Sequence, residues 1–193
     1  EAKVNISDSF TSVKYWDILI YNHLRKKKIA IPQKTSNALK GEKYVGAYVK
    51  EPQVGQHKWV LSFDLNSLYP HLIMQYNISP ETLQSTSHLT SGIDVDYLLE
   101  NKKVPVFERA TFTPNGAIFN TEEQGFLPEM MQSMYNDRTI YKKKMLQAKQ
   151  QYEDTKDPKY FKDVSRYQNI QMARKISLNS AYGAIGNEWF RYY

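Results

Sequence analysis

The sequence contains no cysteine, which excludes disulfides and thiolate metal sites and makes an intracellular origin the natural expectation. It also has no run of about 18 consecutive apolar residues, the length that a membrane-spanning helix requires. Its first residues do not form an apolar signal segment. We therefore expect a soluble intracellular protein that makes no contact with a membrane.

Several catalytic signatures are missing as well. The chain has no Walker phosphate loop, no dinucleotide-binding glycine pattern and no Ser-His-Asp arrangement. Its four histidines are scattered without the spacing of metal ligands, and we interpret each as structural or exposed: His23, His57, His71 and His88.

What the sequence does have is an excess of positive charge. Lys and Arg number 26 against 20 Asp and Glu, for a formal charge of +6, and the pI is near 9.2. This balance favours a polyanionic partner. With 41% apolar residues in a chain of 193, we expect one large folded domain or two small lobes.

The first half of the chain predicts a mixture of helices and strands. Apolar residues recur at helical spacing from Ser9 to Leu24, before a basic run that is either a solvated helix end or a phosphate contact. Residues rich in β-branched and aromatic side chains predict an antiparallel pair of strands, Tyr44–Lys50 and Lys58–Asp64. A short helix follows with Ser67 as its N-cap, and Pro114-Asn115-Gly116 predicts a hairpin turn.

The last third predicts two long helices. The first runs from Pro128 to about Tyr152, and the second begins with Asp157 as N-cap and Pro158 at the first helical position. The second helix is predicted to end near Tyr182, at Gly183 and Gly186. A short polar link makes such helices antiparallel neighbours. We therefore expect a β-containing base from which a helical hairpin projects.

Asp64, at the end of the predicted strand, is a candidate metal ligand. Mg²⁺ prefers carboxylate and carbonyl oxygens, and the Leu65 carbonyl is next to Asp64. The helix that starts near Ser67 has unpaired backbone N–H groups at its first turn, which suit a phosphate group. A surface residue or a helix cap is the alternative interpretation of Asp64.

The helical hairpin carries cations on matching faces. Arg138 and Lys142 lie one turn apart on the first helix, and Lys175, Asn179 and Tyr182 share one face of the second. Antiparallel helices can turn both faces toward one point, where Arg and Lys hold phosphates well. For Arg138 and Lys142, a solvated helix face remains the alternative.

At these residues the chain resembles family B DNA polymerases, most closely those of large tailed bacteriophages. Residues 64–70, DLNSLYP, resemble the family's motif A, and residues 175–183, KISLNSAYG, resemble its motif B. The resemblance implies an α+β fold, with a partial palm of antiparallel strands and short helices and a long two-helix fingers hairpin. It divides the chain into a partial palm (1–125), fingers (126–183) and a return to the palm (184–193).

The resemblance also implies roles for individual residues. Asp64 and the Leu65 carbonyl resemble ligands of two catalytic Mg²⁺ ions, and Asp64 and Lys175 resemble the catalytic side chains. Tyr69 resembles the ring that rejects a 2′-hydroxyl. The residues implied to bind the nucleotide are Leu65, Ser67, Leu68, Tyr69, Arg138, Lys142, Lys175 and Asn179, and those beside the nascent base pair are Tyr182 and Gly183.

The departures from the family pattern are equally informative. The third motif, with its Asp-Thr-Asp, does not occur, and His71 stands where a small polar residue is more usual. We expect a fragment of a larger polymerase that is inactive alone. Its implied partners are primer-template DNA, deoxynucleoside triphosphates and, in the full-length enzyme, replisome proteins; for a viral protein, the location is the host cytoplasm.

Two other functions stay open at this point. A basic hairpin that binds nucleic acid without catalysis would show salt-sensitive affinity and no preference for triphosphates. A protein-primed or RNA-templated polymerase is the third interpretation.

Overall fold

The computed structural model describes residues 3–34, 49–85, 100 and 107–192. Within these ranges, five α-helices and three β-strands follow one another in the chain. In order they are α1 (Ile6–Ser9), α2 (Ser12–Lys26), α3 (Leu68–Gln75), β1 (Leu83–Ser85), β2 (Ala110–Phe112), β3 (Ile118–Asn120), α4 (Phe126–Thr155) and α5 (Pro158–Ile185). A single 3₁₀ turn, Pro80–Thr82, precedes β1.

Helix α2 confirms the predicted N-terminal helix. Its apolar side chains lie three or four residues apart on one face and are all buried: Val13, Trp16, Ile20 and Leu24. The indole N–H of Trp16 donates to the Ser177 carbonyl at 3.2 Å and to Ser180 Oγ at 3.1 Å. These bonds anchor α2 on the last long helix.

The two long helices form the predicted antiparallel hairpin. Ring contacts pair Tyr141 with Tyr167 and Tyr152 with Phe161, so residue numbers rise along one helix as they fall along the other. The Asp157 side chain accepts a hydrogen bond from the Lys159 N–H at 2.8 Å, which confirms the predicted N-cap.

The second helix ends at Gly186, one of the two glycines predicted to end it, but it runs about one turn beyond the predicted Tyr182. Helix α5 continues through Gly183 to Ile185, and Gly186 follows it as the C-cap. The Gly186 N–H bonds to the Tyr182 carbonyl at 3.0 Å, so the helical pattern persists across Gly183. Glycine weakens a helix but does not end it when the flanking turns remain bonded.

The sheet is small and antiparallel, with strand order β1-β3-β2. Strands β2 and β3 form the predicted hairpin, in which Phe112 lies opposite Ile118. The Thr113 N–H donates to the Ala117 carbonyl at 2.9 Å, and Gly116 adopts a positive φ of 89°. Glycine accepts this backbone conformation without the strain of a Cβ.

The predicted strand Lys58–Asp64 does not form. Residues 49–65 carry no strand, and most of its predicted partner, Tyr44–Lys50, lies outside the described residues. A strand needs a neighbouring ladder to satisfy its backbone groups, and no described residue pairs with this segment. Its large side chains are exposed as a result, with Trp59 at 95% and Phe63 at 87%.

The core lies at the base of the hairpin. It joins α2, the first two turns of α4, the last two turns of α5 and the segment that follows α5. Its large, fully buried side chains include Trp16, Ile20, Met131, Leu178 and Phe190. Farther out, Ala148 is the one buried apolar residue in the outer part of α4. The hairpin therefore projects from a packed base, as predicted for the α+β fold.

None of the helices in the described ranges combines the length and the apolar character needed to cross a membrane.

Candidate functional site

The turn before α3 has an unusual backbone. Ser67 occupies the N-cap position as predicted, but with φ 52° and ψ 48° it is left-handed, and its side chain makes no capping bond. The first intrahelical bond runs from the His71 N–H to the Ser67 carbonyl at 3.1 Å. The N–H groups of Leu68 and Tyr69 precede that bond, and Pro70 has none, so two donors are open to an anion.

Arg138 of α4 reaches this turn. Its guanidinium donates to Ser67 Oγ at 3.0 Å, across 71 positions of sequence. Arg138 Nε is buried without a partner among the described residues. A partly buried cation therefore lies beside the two open amide donors, which is an arrangement suited to a phosphate group.

His71 holds the same turn from inside α3. Its Nδ1 lies 2.9 Å from the Ser67 carbonyl, and because a carbonyl only accepts, this nitrogen carries the proton. The ring meets Tyr135 of α4 edge-on, with centroids 4.6 Å apart. Tyr135 and Arg138 share one face of α4, so α4 contacts the turn at two points.

The contacts of His71 and Tyr135 were not predicted from the sequence. The sequence did support a structural role for His71, and its position one helical turn after Ser67 was the available signal. Its contact with Tyr135, which is distant in the chain, required the tertiary structure.

A ring contact joins residues 64–70 to residues 175–183, the two motifs. The ring of Tyr69 stacks on that of Tyr182, with centroids 4.2 Å apart and planes 10° from parallel. Tyr69 belongs to the first motif and Tyr182 to the second, so the fold brings the two together at this pair.

The remaining motif residues of α5 form an open face. Lys175, Asn179 and Gly183 are exposed, whereas Leu178 and Ala181, on the opposite face, are completely buried. A Cβ added at Gly183 would meet no atom within 4 Å. This face of α5 is therefore open at Gly183.

Lys142, Lys175 and Asn179 do not bond to the turn before α3. Lys142 is exposed one turn beyond Arg138, and none of the three side chains has a hydrogen bond or ion pair with another described residue. Between them, Arg174 of α5 bonds to Asp137 of α4 at 3.3 Å. This ion pair ties the two helices together immediately beside Arg138 and Lys175.

Asp64 and Leu65 are both exposed and precede the turn at Ser67. The described residues contain no group of three or more acidic or histidine side chains that could hold a metal ion. Asp64 and the Leu65 carbonyl offer two hard oxygen donors, which suit Mg²⁺ but make only part of a coordination shell.

An ionic cluster lies at the base of α4. The Glu129 carboxylate contacts Lys27 and lies 3.4 Å from His23 Nε2. The hydrogen bond from Lys27 is the main cause of a lowered Glu129 pKa. Burial lowers the pKa of His23 below its ordinary 6.5, although the Glu129 charge opposes this shift. One lysine of the basic run is thus an ion-pair partner rather than a purely solvated cation.

Comparison with known proteins identifies the family. The model of DNA polymerase family B matches residues 10–193, so this chain belongs to DNA polymerase family B. The DNA-directed DNA polymerase of Escherichia phage RB69 is 31% identical over the whole chain, and that of Enterobacteria phage T4 is 28% identical. The resemblance to phage polymerases is therefore supported.

Archaeal polymerases are also similar. DNA polymerase 1 of Pyrococcus abyssi is 32% identical over 79% of this chain and 16% of its own length. The family B DNA polymerase of Pyrobaculum calidifontis superposes on 95% of this chain with a TM-score of 0.62 at 23% identity, which supports the fold. The chain spans 25% of the length of each phage relative.

Proposed function

We propose that this chain is the palm–fingers part of a DNA polymerase that adds deoxynucleoside triphosphates to a primer 3′-OH on a DNA template. Residues 1–125 would contribute to the palm, 126–183 form the fingers and 184–193 return to the palm. The Arg138–Ser67 hydrogen bond at 3.0 Å is the observation that carries the proposal. It joins a hairpin cation to the turn that follows Asp64.

The triphosphate would bind at this turn. The amides of Leu68 and Tyr69 and the Ser67 hydroxyl donate to the β- and γ-phosphates, and Arg138 adds a charge-assisted contact. The exposed face of the hairpin supplies the other binding residues: Lys142, Lys175 and Asn179. Lys175 stabilises the charge that develops on the phosphates during transfer, which makes it a catalytic residue in this proposal.

The tyrosine pair would select the sugar. Tyr69 packs under the deoxyribose and leaves no room for a 2′-hydroxyl, and its stacking on Tyr182 keeps the ring in place. Tyr182 and Gly183 then lie beside the nascent base pair. The open space around Gly183 lets a base pair approach the helix closely.

Asp64 and the Leu65 carbonyl would hold magnesium. In two-metal phosphoryl transfer, the ions neutralise charge on the attacking and leaving oxygens. Asp64 would be the only acidic side chain in this role within the 193 residues, because the Asp-Thr-Asp motif of the family is not among them. We therefore expect the 193-residue chain alone to be inactive in primer extension.

The exposed apolar segment supports the same proposal. Trp59, Leu61 and Phe63 would become buried once residues 58–64 pair with another strand of a polymerase palm. The proposed substrates and partners are deoxynucleoside triphosphates, primer-template DNA and, in a complete polymerase, replisome proteins. The proposed location is the cytoplasm of the phage host.

Nucleotide affinity tests the proposal directly. Calorimetric titration of the chain with dATP and Mg²⁺ should show binding that weakens about tenfold or more in Arg138→Gln, because a charge-assisted contact is lost. Arg166→Gln is the matched control, since Arg166 is an exposed arginine of α5. Equal effects of the two substitutions would remove Arg138 from the site.

A nucleic-acid-binding module without catalysis is the second candidate. The net charge of +6 and the exposed residues Lys142, Lys143 and Lys144 favour it. It predicts that inorganic tripolyphosphate binds as well as dATP and that DNA affinity falls steeply with salt. A clear preference for dATP with Mg²⁺ over tripolyphosphate would reject this candidate.

A further inference from the structure

Asn77 occupies a junction between three parts of the fold. It is 7% exposed, lies two residues after α3 and has a left-handed φ of 54°. Its side-chain amide donates to the carbonyls of Asn120 at 2.6 Å and Glu123 at 2.8 Å. Its Oδ1 accepts from the Gly125 N–H at 2.9 Å. One side chain therefore binds the end of β3, the following loop and the residue that precedes α4.

The segment after Asn77 caps α4 from a distance. Gly125 has no side chain to cap the helix that follows it, and the first amides of α4 are bonded elsewhere. The Glu81 carboxylate accepts from the Phe126 N–H at 2.5 Å and from the Ser79 hydroxyl at 2.6 Å. A carboxylate at this helix end is also favoured by the helix dipole.

The packing at this junction leaves no room for a side chain at Gly125. A Cβ placed on Gly125 would lie 2.5 Å from the Ser79 Cβ and 3.2 Å from the Thr82 Cγ2. The start of α4 is thus pressed against the segment that leaves α3. Its position is determined by contact as well as by hydrogen bonds.

We propose that Asn77 is a positioning residue that sets the direction of α4 relative to α3 and so brings Arg138 to Ser67. Helix α4 acts as a lever on this junction. Arg138 lies about 18 Å along the axis from Phe126 at 1.5 Å per residue. A tilt of about 5° at the base would move the guanidinium by roughly 1.5 Å, and errors of about 1 Å can cost 10²-fold in a positioned reaction.

Two substitutions remove the bonds of Asn77 in different ways. Asn77→Gly deletes the side chain and keeps the left-handed backbone accessible. Asn77→Asp keeps the shape but replaces two N–H donors with an oxygen that faces two carbonyls. Gly125→Ala perturbs the same junction from the side of α4 and leaves Asn77 intact.

Thr111→Val is the matched control. The Thr111 hydroxyl donates to the Tyr76 carbonyl at 2.5 Å and so ties the end of α3 to the β-hairpin, and it has no hydrogen bond to α4 among the described residues. Loss of the Thr111–Tyr76 hydrogen bond should lower the folding stability about as much as loss of one hydrogen bond of Asn77. It should not change the direction of α4.

The absence of cysteine makes the distance measurement specific. Spin labels at Gln75→Cys on α3 and Lys149→Cys on α4, both exposed, report the separation of the two helices by pulsed electron paramagnetic resonance. We expect the distance distribution to shift or broaden by about 3 Å or more in the three junction variants, given the lever length. In Thr111→Val it should match the unsubstituted chain.

Unchanged distributions in the junction variants that fold would overturn the positioning role, as would an equal change in Thr111→Val. If Asn77→Gly and Asn77→Asp fail to fold, Gly125→Ala is the deciding variant, because its Cβ would force the Gly125 backbone, whose N–H bonds to Asn77 Oδ1, away from Ser79. The consequence for nucleotide binding rests on the proposed function. There, dATP affinity should fall about tenfold in the junction variants and stay within twofold in the control. If the distances change in the junction variants but the unsubstituted chain does not bind dATP, the proposed function is rejected. The positioning role of Asn77 is then still supported.

Discussion

The ring of Tyr69 stacks on the ring of Tyr182, with centroids 4.2 Å apart and planes 10° from parallel. Tyr69 lies in the first turn of α3 and Tyr182 in the last turn of α5, so this contact joins the two sequence motifs directly. Together with the Arg138–Ser67 bond, it means that both long helices contact the N-terminal end of α3. The candidate nucleotide site is therefore assembled by contacts between side chains far apart in sequence.

Loss of the stacking partner should relax sugar selection. In a polymerase that contains this chain, Tyr182→Ala should reduce discrimination between deoxynucleotides and ribonucleotides by about 2- to 10-fold, since an aromatic pair contributes about 0.5–1.5 kcal/mol. Tyr69→Ala should reduce it further. The ratio of kcat/KM for a deoxynucleotide to that for the matching ribonucleotide measures the discrimination. Tyr182→Phe retains the ring and should behave as the unsubstituted enzyme. Unchanged selectivity in Tyr69→Ala would show that Tyr69 does not select the sugar.

Lys175 should matter chiefly for the transition state. Lys175→Ala in the same polymerase should cost about 2–4 kcal/mol in kcat/KM, because a charge-assisted contact to the transferring phosphates is lost. Lys162→Ala is a suitable control, since Lys162 is exposed near the start of α5. Single-turnover incorporation rates measure both variants, and near-normal kcat/KM in Lys175→Ala would remove this residue from the site.

His71 should support nucleotide binding through the turn at Ser67. His71→Ala removes the hydrogen bond to the Ser67 carbonyl and the contact with Tyr135. We expect dATP affinity to fall about tenfold, with a loss of folding stability of about 0.5–1.5 kcal/mol. Asn places an N–H donor near the position of Nδ1, so His71→Asn should recover much of the affinity. If alanine and asparagine weaken binding equally, the hydrogen bond has no positioning role.

The lowered pKa of His23 makes stability depend on pH. Burial is its main cause, Glu129 opposes it, and Lys27 and Lys26 add to it. The unfolded chain therefore binds a proton near pH 6.5, where the folded chain does not. Stability is unaffected by this group above that value and falls as the pH drops from 6.5 toward the folded pKa.

Urea unfolding between about pH 7.5 and pH 5 measures this dependence. His23→Gln should flatten the profile in that window. His57→Gln should not, since His57 is exposed and its ring bonds, within the described part of the chain, to the nearby Gln53 carbonyl. Glu129 acts in a separate, more acidic window: its lowered pKa contributes stability above its ordinary 4.5 that is lost as the pH falls through the folded value. If His23→Gln and the unsubstituted chain gave identical profiles of stability against pH, His23 would not be the cause of the pH dependence.

Local rules predicted the helices well. The spacing of Val13, Trp16 and Ile20 identified the buried face of α2, and Asp157-Pro158 located the start of α5. The turn Pro114-Asn115-Gly116 likewise identified the β-hairpin. These features depend on residues within a turn or two of one another, so the sequence alone contains the necessary information.

The strand at residues 58–64 was predicted wrongly because a strand depends on a partner that is distant in the sequence. Its composition favours a strand, but a strand exists only with a partner, and no described residue provides one. The left-handed backbone of Ser67 was not foreseen either. A serine there suggested an ordinary cap, whereas Arg138 and His71 hold the turn in another conformation.

The helix pattern and the two motifs could be recognised from local residue patterns, and the motifs indicated the family. The tertiary structure alone decided which side chains meet: Arg138 with Ser67, Tyr69 with Tyr182, and Asn77 with the start of α4. The physical reason is the range of the interactions. Periodicity and capping act within a few residues, whereas the geometry of the candidate site depends on hydrogen bonds and ring contacts that span much of the chain.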